Sequence, residues 1–101
     1  MTETIRRLQR PMVVELAGEI DMANADTIGA CLCHAIELTR NGLVVDLTEV
    51  TFIDSSGMTM MVRVHKAAIA HEGSVTWRGV QPFPAKALAM VGLDGLLALQ
   101  A

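Results

Sequence analysis

The sequence predicts an α/β fold, a small mixed sheet of four to five strands covered by about three helices, on the strength of three features. Strand-like runs rich in β-branched residues recur at residues 12–17, 43–47 and 74–78. Between them lie two stretches with helical spacing, marked by Ala25, Ile28, Leu32, Ala35 and Ile36 in the first and Met58, Met61, Val62, His65 and Ile69 in the second. Gly18, Gly42 and Gly73 stand at the joints. Strands and helices in alternation build crossover units, in which helices cover a sheet.

Taken in order, residues 4–8 are expected to form a short edge strand, paired as a hairpin with residues 12–17 across a turn at Pro11. Gly18 ends the second strand, and Gly18-Glu19-Ile20-Asp21 reads as a loop into a helix capped by Asn24 or Asp21. That helix runs from about residue 24 to 40, where Asn41-Gly42 supplies the stop. Residues 43–47 are almost continuously apolar, which predicts a parallel strand buried on both faces; Asp46 interrupts it and must find partners. Residues 48–54 then lead to a second helix from Ser56 to about His71, closed by Glu72-Gly73. After the strand at 74–78, a loop over 79–84 holds two prolines, a short third helix covers 85–91, and Gly92 stops it. Residues 96–99 form a last short strand or helical turn. No repeat, low-complexity tract or linker interrupts the pattern, so residues 1–101 are expected to be a single domain.

At 101 residues and 51% hydrophobic, the chain can bury one core. No apolar run approaches the ~18 residues of a membrane span, and the first residues, with Glu3, Arg6, Arg7 and Arg10 around Ile5 and Leu8, lack the apolar centre of a signal peptide. A cytoplasmic protein without membrane contact is expected, a monomer or weak dimer. Net charge is −3, which gives no reason to expect direct nucleic-acid binding. Its distribution is uneven: from Glu15 to Asp54 eight carboxylates face Arg40 alone, a net of −7, leaving +4 on the remainder. If Glu19, Asp21, Glu49 and Asp54 lie on loops at one end of the sheet, that end is acidic and attracts a basic protein surface; otherwise they form a solvated acidic face.

Cys31 and Cys33 are two apart in a predicted helix, point to nearly opposite sides, and are read as reduced packing residues. Cys31 and His34 have a helical i, i+3 spacing, but two ligands make no metal site. No zinc spacing and no glycine-rich phosphate loop occurs, and no cofactor is expected. No Gly-x-Ser-x-Gly elbow surrounds Ser55, and His65 lies about 15 Å along the helix from it, which argues against a Ser–His hydrolase. Seven methionines fit core filling in a chain with only three aromatics. Met58 and Met60 cannot both face the core where Met61 does, so one of them is a candidate partner contact.

The stretch that organises the chain is Phe52-Ile53-Asp54-Ser55-Ser56-Gly57-Met58. It sits on a strand–loop–helix junction, where Ser55 or Asp54 can cap the first helical turn and the same free N–H groups can receive an anion. Taken alone, Asp-Ser-Ser-Gly is a common helix cap. Its company is more specific: Gly18-Glu19-Ile20-Asp21 after a strand, residues 43–47, Val50 and Phe52 ahead of the serines, Gly73 before a strand, and Met90-Val91-Gly92-Leu93 after a short helix. In this order and spacing the chain resembles the STAS domain, and specifically the free-standing bacterial anti-sigma factor antagonists, from about Ile5 to Leu99. The resemblance implies a STAS-like fold and a protein that is not an enzyme but a binding protein and phosphorylation substrate. Its unphosphorylated form would bind an anti-sigma factor serine kinase and release a sigma factor. The kinase would phosphorylate the first serine after the aspartate, here Ser55, with Ser56 the secondary candidate, and a serine phosphatase would reverse it. Asp21 and Asp54 match the family's acidic positions flanking that serine, and Asp21, Asp54, Ser55, Ser56, Gly57 and Met58 are the expected partner-binding residues. Met58 and Thr59 depart from the leucine and small residue usual there. The alternative is a STAS scaffold or ligand-sensing module of a stress-signalling or transport system.

Overall fold

The structure, a computed structural model, describes residues 11–39 and 42–100. Three parallel strands, β1 (Met12–Ile20), β2 (Leu43–Ile53) and β3 (Val75–Arg78), form a sheet in that order. Helix α1 (Ala25–Leu38) joins the first pair and α2 (Ser55–Ala70) the second. Parallel crossovers are of one hand, so a sheet that grows in one direction carries both helices on one face, and α1 and α2 pack against each other.

Leu43, Val45 and Leu47 are buried on the covered side, with Ile20, Leu32, Ile36, Met61, Val64 and Trp77 around them. Val44 and Asp46 point the other way and are only half-buried. The expected burial of residues 43–47 on both faces is thereby corrected: both crossover helices occupy one side. Met60 and Met61 are both buried, because Met60 turns toward Gly29 of α1, where an added Cβ would lie 2.9 Å from its Cγ.

The two long strands run past the expected ends. β1 continues through Gly18 to Ile20, and β2 through residues 48–53. In each of two places β2 carries one residue more than β1, between the pairs Glu15↔Asp46 and Ala17↔Glu49, and again between Gly18↔Val50 and Glu19↔Phe52. Each bulge reverses the pleat phase, so the buried positions 43, 45 and 47 are followed by 50 and 53. A strand with that pattern has no constant period.

β3 ends at Arg78, paired with Asp46, and among the described residues no further strand pairs with the rest of β2 on that side. Helix α3 (Pro82–Met90) covers the open edge: Gln81 Nε2 donates to the Thr48 carbonyl at 2.6 Å, and the Phe52 and Phe83 rings stand 6.4 Å apart. It begins three residues before the expected start because Pro82 occupies the first turn, where proline's fixed φ is favourable and no N–H is needed. A 3₁₀ turn at Leu93–Gly95 follows, and Leu99 makes a single parallel bridge to Trp77, the last pairing expected near residues 96–99. Three strands therefore stand among the described residues instead of four to five. The edge strand at 4–8, on which the hairpin and the mixed character rested, lies outside the described residues.

Candidate functional site

The parallel register places Ile20 opposite Ile53, so Asp21 and Asp54 leave adjacent strands at the same end of the sheet. The Asp54 N–H donates to the Ile20 carbonyl at 3.0 Å and fixes the junction. Of the two predicted caps it is Asp54 that closes α2: its Oδ1 accepts from the Gly57 N–H at 3.0 Å. Gly57 is buried, and a Cβ there would lie 2.7 Å from Ile53 Cγ2 and 2.9 Å from Ile20 Cγ2. Only glycine lets the first turn sit this close to both strand ends.

With the cap made by Asp54, Ser55 becomes the first helical residue, its side chain exposed, whereas Ser56 is half-buried. The Ser55 carbonyl accepts from the Thr59 hydroxyl at 3.0 Å one turn on. Ser55, Met58, Thr59 and Val62 of α2 face Val91 and Leu93 across a shallow groove of about 300 Å³. Met58 is half-buried there, which makes it, not Met60, the partner-contact candidate of the methionine cluster. Val91 and Leu93 were not anticipated as part of the site; the i, i+3, i+4, i+7 spacing of Ser55, Met58, Thr59 and Val62 is the signal that marks the α2 wall.

The acidic end is built in part. Glu19, Asp21 and Asp54 are gathered at the ends of β1 and β2, while Glu49 lies further back, opposite Ala17. Asp21 is turned into its own loop: Oδ1 accepts from the Ala23 N–H at 2.9 Å, and its N–H donates to Asn24 Oδ1 at 2.9 Å. Asn24 Nδ2 in turn donates to the Glu19 carbonyl at 2.8 Å. Asn24 therefore braces the loop and makes no side-chain cap for α1. Asp46 finds the partners its position demands, Thr48 Oγ1 at 2.5 Å, the Thr48 N–H at 2.9 Å and Arg78 at 3.0 Å. The Thr48 hydroxyl, the Thr48 N–H and Arg78, in that order, hold its carboxyl down at about 2.

Cys31 and Cys33 are free, and among the described residues no three metal-ligating side chains converge. No helix among them is long and apolar enough to cross a membrane.

A family model, that of the STAS domain, matches residues 2–101. The chain belongs to the STAS domain family. Among solved structures, an anti-sigma factor antagonist from Mycobacterium paratuberculosis is similar at 25% identity and a TM-score of 0.76, over 87% of this chain and 74% of that one. The anti-sigma factor antagonist SpoIIAA in its unphosphorylated form matches at 22% identity and a TM-score of 0.75, over 92% and 81%. A sulfate transporter family protein from Wolinella succinogenes shares the fold as closely, with 21% identity and a TM-score of 0.76 over 88% and 75%. No curated protein matches the chain.

Proposed function

We propose that this STAS domain is an anti-sigma factor antagonist whose binding is switched off by phosphorylation of Ser55. The observation that carries the reading is the exposed Ser55 hydroxyl at the first position of α2, on the rim of an apolar groove and next to the Asp54 carboxylate. Unphosphorylated, this end docks on an anti-sigma factor serine kinase in the cytoplasm and displaces the sigma factor; a serine phosphatase restores the docking form. Asp21, Asp54, Ser55, Ser56, Gly57 and Met58 compose the docking end. Ser55 is favoured over Ser56 by its exposure.

A phosphate on Ser55 adds about −1.5 to −2 charges. The helix N-terminus favours it by only about 0.3–1 kcal/mol, and the Gly57 N–H is already committed to Asp54. Taking that charge out of water at the rim of a mostly apolar groove costs several kcal/mol, and each 1.4 kcal/mol or so is about tenfold in affinity. Desolvation outweighs the helix contribution and the complex separates.

The test is affinity capture from host lysate with wild-type and Ser55→Asp baits, then ATP incubation of the recovered complex and phosphosite mapping. Recovery of a small kinase by wild type alone, with phosphate appearing on Ser55, supports the switch. Equal capture of the same partners by both baits, with Ser55 unmodified, overturns it. That outcome would favour the second reading, a scaffold or ligand-sensing module of a stress-signalling or transport assembly, which has the likeness to the sulfate transporter family protein in its support.

A further inference from the structure

Helix α3 is apolar on both sides. Pro84 and Leu88 turn inward and are buried, while Phe83 is 66% and Met90 78% exposed on the outer side. Phe83, Lys86, Ala87 and Met90 follow at i, i+3, i+4 and i+7 and enclose a shallow depression of about 240 Å³. Phe52, two residues before Asp54, extends the patch from β2 through its contact with Phe83. At the other end Met90 is followed by Val91, which lines the Ser55 groove. Met90 and Val91 are adjacent and both exposed, so the outer face of α3 ends next to a residue of the Ser55 groove.

We propose that this outer face of α3 receives a helix of the same protein partner that docks at Ser55, one carrying an aspartate or glutamate between two apolar residues; the inference rests on the Ser55 docking reading. Charge selects this occupant. Lys86 stands midway between Phe83 and Met90, and among the described residues the ion pairs are His34–Glu37, Arg63–Asp26 and Arg78–Asp46, none of which uses it. A second copy stacked two-fold and antiparallel on α3 would set the two Lys86 ammoniums against each other across the axis. An anionic lipid surface gains only about 1 kcal/mol from one lysine against a chain of net charge −3. An acidic residue flanked by apolar ones satisfies Lys86 and covers Phe83 and Met90 together.

The experiment places a photo-crosslinking amino acid at Phe83 and, separately, at Met90 of the full chain in host cells and maps the adducts. Both positions are expected to capture one segment of one protein, with an acidic residue three or four positions from apolar neighbours. With that protein purified, Lys86→Glu is expected to weaken binding about tenfold or more, and replacing the mapped acid by lysine in the partner to restore it. Adducts to a second copy or to lipid, no adduct, or a charge reversal without effect would each overturn the inference. The Ser55 reading is scored separately in the same titrations. Loss of binding in Ser55→Asp with Lys86→Glu binding like wild type removes the α3 contact and keeps the switch; the reverse removes the switch and keeps the contact.

Discussion

Asp54 and Gly57 make the junction that presents Ser55. Truncating an N-cap costs about 0.5–2 kcal/mol, so Asp54→Ala is expected to lower stability by about 1 kcal/mol, read as a shift in the urea midpoint followed by emission of the buried Trp77. Gly57→Ala meets Ile53 and Ile20 at closer than van der Waals distance. Overpacking of this kind costs about 1–3 kcal/mol, against which alanine's helix preference returns up to about 1 kcal/mol. A net loss is expected in the same titration; a Gly57→Ala protein as stable as wild type would show that the strand ends can separate at no cost. Much of this site was legible in the sequence, since Asp-Ser-Ser-Gly ahead of a helical period marks a cap. Which of Asp54 and Ser55 makes the cap was not legible, because either oxygen can reach the same N–H groups and only the backbone geometry decides between them.

At the scale of elements, β2 shows what periodicity cannot convey. Leu43 to Leu47 form an almost continuous apolar run and read as a strand; beyond Leu47 the two bulges shift the buried positions to Val50 and Ile53, and the strand resembles a connection. Asp46 ties β2 to the end of β3 through Arg78 and holds its own strand's Thr48. Its folded pKa of about 2 lies below the ordinary 3.8. A depressed carboxylate favours folding above the unfolded value and ceases to do so as pH falls through the folded one. Stability is therefore expected to decline as pH drops from 3.8 towards 2, and Asp46→Asn to flatten that part of the profile in denaturation midpoints taken across the acid range. Helix α3 depends on Leu88, fully buried beneath it. Leu88→Ala is expected to cost about 2–5 kcal/mol, measured by chemical denaturation.

Across the whole molecule, the parallel register gathers Glu19, Asp21 and Asp54, distant in sequence, at one end of the sheet. An acidic docking end steers a basic partner. The association rate with the captured partner is expected to fall as salt rises and the screening length shrinks from about 30 Å at 0.01 M to about 3 Å at 1 M. An on-rate independent of salt would show that these carboxylates do not face the partner. The sequence by itself determined the strand–helix alternation, the place of Ser55 at the head of a helix and the charge asymmetry, because period, capping chemistry and composition are local properties. Only the tertiary structure decided that both crossover helices cover one face, that Met60 turns to Gly29, and that α3 closes the open edge of β2 and brings Val91 and Leu93 to the groove beside Ser55. Those outcomes depend on register, bulges and the point where β3 stops, which are fixed between segments far apart in the chain.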